Sequence, residues 1–334
     1  MPRSFKILIV LVLAAAALVT YLGWTQDRRS GPLLSDLRIL PIESRGTPGD
    51  HGNLLAMEVK LLPADYQSRD RLQLRFATYL EQARNEGFLK SRTIVVLPEH
   101  VGTGLFALGE KAEVQQARSL RDAMQWTALS NPWNYLRALI ENQRRDRRTE
   151  AVLRIKAARM AEDYQQIFGD LAREYAVTLV AGSIVLPEPR MQNGRLLTGS
   201  GPLRQVSLTF DAQGQPLGPL QYKHDLSRYE RRYSQAPDTW HPDTLPTPAG
   251  RLAVLLGCDG QLAPPGDADF VVVPGALSDP ASCSANAQPS SHVPRLDVNT
   301  LGLPWDLVGS PRRPAQHRRG PPVQLHNLWL PERP

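Results

Sequence analysis

Apolar positions follow three different patterns along this chain. From Ile7 to Trp24 no residue is charged, with Arg3 and Lys6 before the run and Asp27, Arg28 and Arg29 after it. Those 18 residues reach roughly 27 Å as a helix, the thickness of a bilayer core. Tyr21 and Trp24 fall at the far end, where amphipathic rings favour the membrane interface. Two readings follow. One is a cleaved signal peptide, with Ala14 to Ala17 as the small-residue cleavage region. The other is an uncleaved single-pass anchor, favoured because Leu18, Val19, Tyr21 and Leu22 continue the apolar run. The basic N-terminal flank places the remainder of the chain outside the cytoplasm, at an inner (cell) membrane.

Residues 25–50 show no period and are punctuated by Gly31, Pro32, Pro41, Gly46, Pro48 and Gly49, which reads as a linker. Beyond it the pattern becomes globular. Leu54–Leu62 predicts a buried strand. Leu72, Phe76, Tyr79, Leu80 and Ala83 predict an amphipathic helix over Asp70–Phe88. Thr93–Leu97 is a β-branched strand ending in Pro98-Glu99. Lys111–Glu150 is polar overall, with Trp126, Trp133 and the cluster Arg144, Arg145, Arg147 and Arg148. Ala151–Tyr175 predicts a second long helix, and Val177–Leu186, Gln205–Asp211, Leu220–Lys223, Leu252–Leu256 and Phe270–Val273 predict strands. A turn at Gln213-Gly214 makes part of the sheet antiparallel. Beyond Ser284 the chain is rich in Pro and Arg, with weak strand signals at most. Strands alternating with long helices predict an α/β fold.

Composition narrows the function. Hydrophobic residues at 42% and charged residues at 22% exclude wholesale disorder. Lys+Arg of 39 against Asp+Glu of 33 gives +6, a dispersed excess that does not demand nucleic acid. Two cysteines, Cys258 and Cys283, exclude a disulfide-stapled scaffold and a Cys-rich zinc site, and they are not obviously placed to pair. The seven histidines are scattered, so no metal or cofactor is expected. His100 and His224 adjoin the candidate site and read mainly as hydrogen-bonded loop residues. The arginine cluster reads first as a solvated helix face, with contact to anionic lipid as the alternative; Trp126 and Trp133 read first as ordinary packing, with the lining of a pocket for an apolar acyl chain as the alternative.

Three segments carry candidate chemistry. Glu99 closes an apolar strand, where α/β active sites gather, and burial there would raise its pKa toward that of a usable base. Lys223 closes a second strand and offers positive charge to a developing anion. Cys258 follows a third strand and offers a nucleophile if a neighbour takes its proton. Each alone is as readily a solvated carboxylate, a surface lysine and a small buried hydrophobe.

Taken in order, Leu97-Pro98-Glu99, Tyr222-Lys223 and Gly257-Cys258-Asp259 resemble the carbon–nitrogen hydrolase (nitrilase) superfamily. Val180-Ala181-Gly182-Ser183 and Ala268-Asp269-Phe270-Val271-Val272-Val273-Pro274 extend the resemblance over about Leu54–Leu277. It implies an α-β-β-α sandwich, often paired across subunits, which leaves a homo-oligomer open. It implies that Glu99 is the general base, Lys223 the oxyanion stabiliser, Cys258 the nucleophile and Glu230 a second, supporting glutamate. The implied domains are a signal-anchor or signal peptide (1–24), a linker (25–50), a catalytic domain (51–283) and a Pro/Arg-rich extension (284–334). The implied function is hydrolysis of a small amide or nitrile through a Cys thioester. Acyl transfer with the same three residues and a catalytically inactive binding module are the alternatives. The sequence departs from the family where an aromatic residue usually separates the cysteine from the acid, because here Asp259 follows Cys258 directly.

Overall fold

A computed structural model describes residues 3–26, 40–141, 146–275, 283, 293–312, 314 and 321–332. The uncharged run forms α1 (Arg3–Gln26). Its stretch Phe5–Gln26 is long and apolar enough to cross a membrane, and none of it is buried inside the protein. A signal sequence would satisfy the same test.

The remaining elements follow in chain order. β1 is Glu43–Arg45, β2 Asn53–Val59, α2 Arg69–Asn85 and β3 Thr93–Val96. Helices α3 (Ala112–Gln116), α4 (Leu120–Ser130) and α5 (Pro132–Glu141) fill the polar region, and α6 spans Arg147–Tyr175. Then come β4 (Thr178–Val180), β5 (Ile184–Pro187), β6 (Arg190–Gln192), β7 (Arg195–Leu197), β8 (Leu203–Ser207), β9 (Thr209–Phe210) and β10 (Gln221–Tyr222). β11 (Thr244–Thr247), β12 (Gly250–Val254), β13 (Phe270–Pro274), β14 (Arg295–Val298) and β15 (Val323–Trp329) complete the chain.

The larger sheet runs β1-β15-β2-β3-β4-β9 and the smaller β11-β12-β13-β14. The pairs β2/β3, β3/β4, β12/β13 and β13/β14 are parallel. Side-chain alternation shows how the layers stack. Leu55 and Met57 of β2 and Val95 of β3 join the core formed with Phe76 of α2 and Phe168 of α6. Their neighbours Leu54, Ala56, Ile94 and Val96 instead meet Leu252, Val254, Phe270 and Val272 of the smaller sheet. The fold is therefore a mixed α/β sandwich of two sheets, with α2 and α6 on one outer face. The other outer face is lined by Ala253, Leu255, Val271 and Val273, against which Trp240 and Val293 pack. Among the described residues it carries no helix.

The helix starts have local causes. Ser68 accepts from Arg71 N–H at 3.3 Å to start α2, and Asp146 accepts from Thr149 N–H at 3.2 Å to start α6. α6 begins at Arg147, four residues before its expected start, because that cap lies upstream of the apolar pattern.

Three expectations change. The single strand over Val177–Leu186 is two strands in different sheets, separated at Gly182. A Cβ on Gly182 would lie 2.1 Å from the Pro98 carbonyl oxygen, and its φ is +70°. Glycine lets the chain turn there under the end of β3. The region beyond Ser284 holds more than weak strand signals: β15 lies inside the larger sheet, antiparallel to β2 and parallel to β1. Its alternation V-Q-L-H-N-L-W hides a buried polar position, Asn327, which accepts from Asn53 Nδ2 at 2.5 Å. Finally, Trp126 and Trp133 are exposed rather than packed inside.

Candidate active site

β3 ends by delivering Leu97-Pro98-Glu99 beneath the ends of the neighbouring strands. Leu97 N–H donates to Val180 O at 3.0 Å, and Glu99 N–H donates to Gly275 O at 3.2 Å. Glu99 is thereby fixed between the two sheets with no exposed surface. His100, at φ 61°, turns the chain away. Its N–H donates to Ser183 Oγ at 2.9 Å.

Lys223, directly after β10, is buried and reaches the same point. Its Nζ lies 3.0 Å from Glu99 Oε1 and 2.9 Å from Glu230 Oε1, and it donates to Glu230 Oε2 at 3.1 Å. Glu230 enters from a single 3-10 turn and accepts Ser227 N–H at 2.7 Å. His100 Nε2 lies 2.9 Å from Glu230 Oε1, and Nδ1 lies 3.2 Å from Thr103 Oγ1. Val185 N–H also donates to Thr103 Oγ1 at 3.2 Å. An ionised carboxylate can only accept, so His100 Nε2 donates to Glu230. Gln205 Nε2 donates to both Glu99 Oε1 and Ser183 Oγ at 2.9 Å.

Sequence reasoning therefore brought Glu99, Lys223 and Glu230 to one place. It missed Ser183, Gln205 and Thr103, whose side chains fix the orientation of the others. Polar residues on strands otherwise facing the core were the available signal. His224 stacks on Trp240 at 5.1 Å instead of joining the cluster.

The electrostatics set the three groups apart. Burial pushes the Glu99 carboxyl above its ordinary range, Lys223 pulls it back in part, and the Glu230 charge adds to the rise. For Glu230 burial works upward too, but the Lys223 charge and the His100 hydrogen bond outweigh it and hold the carboxyl below its usual range. Burial opposes the Lys223 charge, yet the two carboxylates overcome it and keep the ammonium charged. The cluster is a fixed cation–anion pair, Lys223 and Glu230, beside a carboxyl inclined to hold its proton.

The third expected member departs from this geometry. Cys258 is bonded to Cys283, with the Cα atoms 5.4 Å apart. The expectation that the two would not pair is corrected. Their separation of 25 residues gave no hint, because the pairing depends on where the chain returns after β13. The residue that faces the cluster is the preceding one. An ideal Cβ on Gly257 would lie 2.5 Å from Glu99 Oε2 and 2.7 Å from Lys223 Nζ. Gly257 has φ +51°, and Glu99 Oε2 is buried without a hydrogen-bond partner. Asp259 accepts His224 N–H at 2.8 Å and Asp225 N–H at 2.5 Å. Burial raises its pKa to about 7 against the pull of those two donors.

The sequence matches no family profile. It also matches no curated protein. Among solved structures, an amidase from Nesterenkonia sp. aligns at 16% identity over 70% of this chain and 68% of its own, with a TM-score of 0.41. A cysteine-to-serine mutant of the Nesterenkonia AN1 amidase, from the nitrilase superfamily, aligns at 15% over 69% and 67%, TM-score 0.40. The chain is similar to nitrilase-superfamily structures. A carbon–nitrogen hydrolase from Helicobacter pylori G27 aligns at 18% over 68% of this chain and 59% of its own, TM-score 0.39.

Proposed function

We propose that this chain is a membrane-held, nitrilase-type module that binds a small carbonyl or amide compound at the Glu99–Lys223 pair and does not cleave it. The observation that carries this reading is the Gly257 position. The point facing both Glu99 Oε2 and Lys223 Nζ belongs to a residue with no side chain, and the sulfur of the neighbouring Cys258 is bonded to Cys283. A base and an oxyanion cation without a nucleophile can polarise a carbonyl but cannot form a thioester. Glu99 Oε2 has no hydrogen-bond partner. An unmet buried polar atom costs about 1–3 kcal/mol, and with Glu99 inclined to hold its proton a ligand carbonyl oxygen accepting from Oε2 would recover it. Lys223 would meet the ligand's carbonyl oxygen. α1 serves as the anchor, with the sandwich on the extracytoplasmic side.

A second reading is favoured by the place of Cys258, directly beside Gly257. In reduced protein its thiol would attack the carbonyl or nitrile carbon of a small amide, nitrile or ester while Glu99 takes the proton. For an amide or ester, Glu99 would then return that proton to the leaving amine or alcohol. From a nitrile the attack gives a thioimidate, which adds water and loses ammonia to reach the same thioester; the thioester would pass its acyl group to water, or to an amine in an acyl transfer. Full-length protein, oxidised and reduced, is incubated with a panel of amides, nitriles and esters, with and without hydroxylamine. Product formation and protein mass are followed. The binding reading expects no product and no acyl adduct in either redox state, together with amide-dependent thermal stabilisation that Glu99→Gln weakens. An acyl adduct on Cys258 of reduced protein, with turnover that Cys258→Ser abolishes, would replace it by the thiol-hydrolase reading. Product only with hydroxylamine would select the transferase.

A further inference from the structure

Large apolar side chains exposed outside α1 are concentrated on one surface. Among the described residues there are six, and five of them (Trp126, Leu129, Trp133, Leu136 and Ile140) lie on α4 and α5; the sixth is Leu74. Trp133 is 75% exposed and Ile140 73%. Trp133, Leu136 and Ile140 recur at i, i+3 and i+7, so they share one face of α5. The opposite face supplies Ala138, which is buried. A soluble protein has no cause to turn such a face to water.

The end of α1 sits on this surface. Tyr21 OH donates to the Leu129 carbonyl at 2.6 Å, and the Trp24 ring lies 6.3 Å from that of Trp126. The Lys111 ammonium lies 4.1 Å from the centre of the Trp24 ring and also donates to the Trp24 carbonyl. The residues that mark the aqueous end of the spanning helix thus touch the start of the exposed stripe. Arg121, Arg137, Arg147 and Arg148 are exposed on and around the two helices. Arg137 lies four residues after Trp133, at the border of the apolar face.

We infer that α4 and α5 lie in the interface of the bilayer that α1 spans. Trp133, Leu136 and Ile140 enter the acyl boundary, and the surrounding arginines meet anionic headgroups. This is the pattern of an interfacial amphipathic helix, apolar on one face and basic beside it. The occupant is a lipid surface rather than a protein because α1 brings that surface to the stripe. The sandwich is then held at two points, which fixes its tilt relative to the membrane. The inference rests on α1 being retained as an anchor.

The test uses the full chain in nanodiscs of phosphatidylethanolamine and phosphatidylglycerol, compared with the same chain in amphipol. Amide exchange and tryptophan emission are read together. Slow exchange across α1 in the nanodisc reports the anchor and is independent of the inference. The expected result is slower exchange in α5 and a lipid-dependent blue shift of emission. The part of the shift and of its quenching by brominated lipids that Trp133 contributes should appear as the difference between wild type and Trp133→Phe, since Trp24 on α1 responds to lipid in both. The variant Trp133→Ser/Ile140→Ser should lose the α5 protection while keeping its melting temperature, because both side chains are exposed. Equal α5 exchange and unshifted Trp133 emission in the two media, with α1 protected in the nanodisc, would overturn it. So would α5 protection that rises with protein concentration in amphipol, which assigns the face to a second copy of the chain.

Discussion

Breaking the Cys258–Cys283 bridge should cost much of the stability of the smaller sheet's end. The bridge closes a loop of 25 residues. Chain-entropy theory gives about 3.5 kcal/mol for a loop of that length, through the freedom it removes from the unfolded chain. For a domain of this size each kcal/mol moves the melting temperature by about 2–4 °C, so reduction should lower it by about 7–14 °C. Cys258 is buried, and a freed thiol there behaves as a small hydrophobe, so Cys283→Ser isolates the loss of the cross-link from any new polar burial. Cys258→Ser adds a buried hydroxyl and should fall further. The assay is calorimetry on full-length protein in detergent, oxidised and reduced, with thiols counted before and after denaturation. Oxidised wild type should show no free thiol under either condition. Cys283→Ser should melt with reduced wild type and be indifferent to reductant, because one cross-link cannot be lost twice. Two free thiols in unreduced protein, or a melting temperature that reductant leaves in place, would refute the pairing and return Cys258 to the role of a free nucleophile.

Three further outcomes follow from the buried charges and from Gly182. Lys223→Met leaves Glu230 buried without its cation and should cost about 3–5 kcal/mol in denaturant unfolding. In that variant the Lys223 charge no longer offsets burial and only the His100 and Ser227 hydrogen bonds oppose it, so the folded pKa of Glu230 rises and the deficit should be larger at pH 8 than at pH 5; a pH-independent loss would contradict the pairing. Asp259, raised to about 7, contributes stability that is full below its unfolded range near 3.9 and is lost as pH rises through about 7. Asp259→Asn does not titrate, so the stability difference between wild type and variant should shrink over that window, and an unchanged difference would count against the burial argument. Gly182→Ala places a Cβ against the Pro98 carbonyl at a left-handed φ and should cost about 2–5 kcal/mol by thermal unfolding, whereas Gly87, with open space where a Cβ would stand, should tolerate alanine with only its backbone penalty.

The strands that form the sandwich were legible because they are buried on both faces. β3 and β13 are continuous apolar runs, and such runs have few other uses in an α/β chain. Glu99 and Lys223 were legible because each stands where such a strand stops. The rest depended on contacts far apart in the chain. β15 alternates with polar residues and reads as a surface segment until Asn327 finds Asn53 across the pair with β2. The break at Gly182 reflects the Pro98 carbonyl passing close by, which is invisible locally. Gly257 looks like an ordinary loop glycine, and only the convergence of Glu99 and Lys223 on it reveals that it, and not Cys258, faces the cluster. Trp133 reads as core because aromatic residues usually are; its exposure follows from the position of α1 beside α4.

The place of β15 bears on how the molecule is made. β1 and β2 lie on either side of it, so residues 43–59 have no complete sheet until residues 323–329 arrive. Every ribosome-bound intermediate lacking that strand leaves one edge of β2 with open hydrogen-bonding groups. Closing that gap late, across more than two hundred and fifty residues, is entropically slow. In the extracytoplasmic orientation proposed above, the delay would be useful: the segment behind α1 would stay extended while it threads through a translocation pore, and the sandwich would lock only after its final strand has crossed.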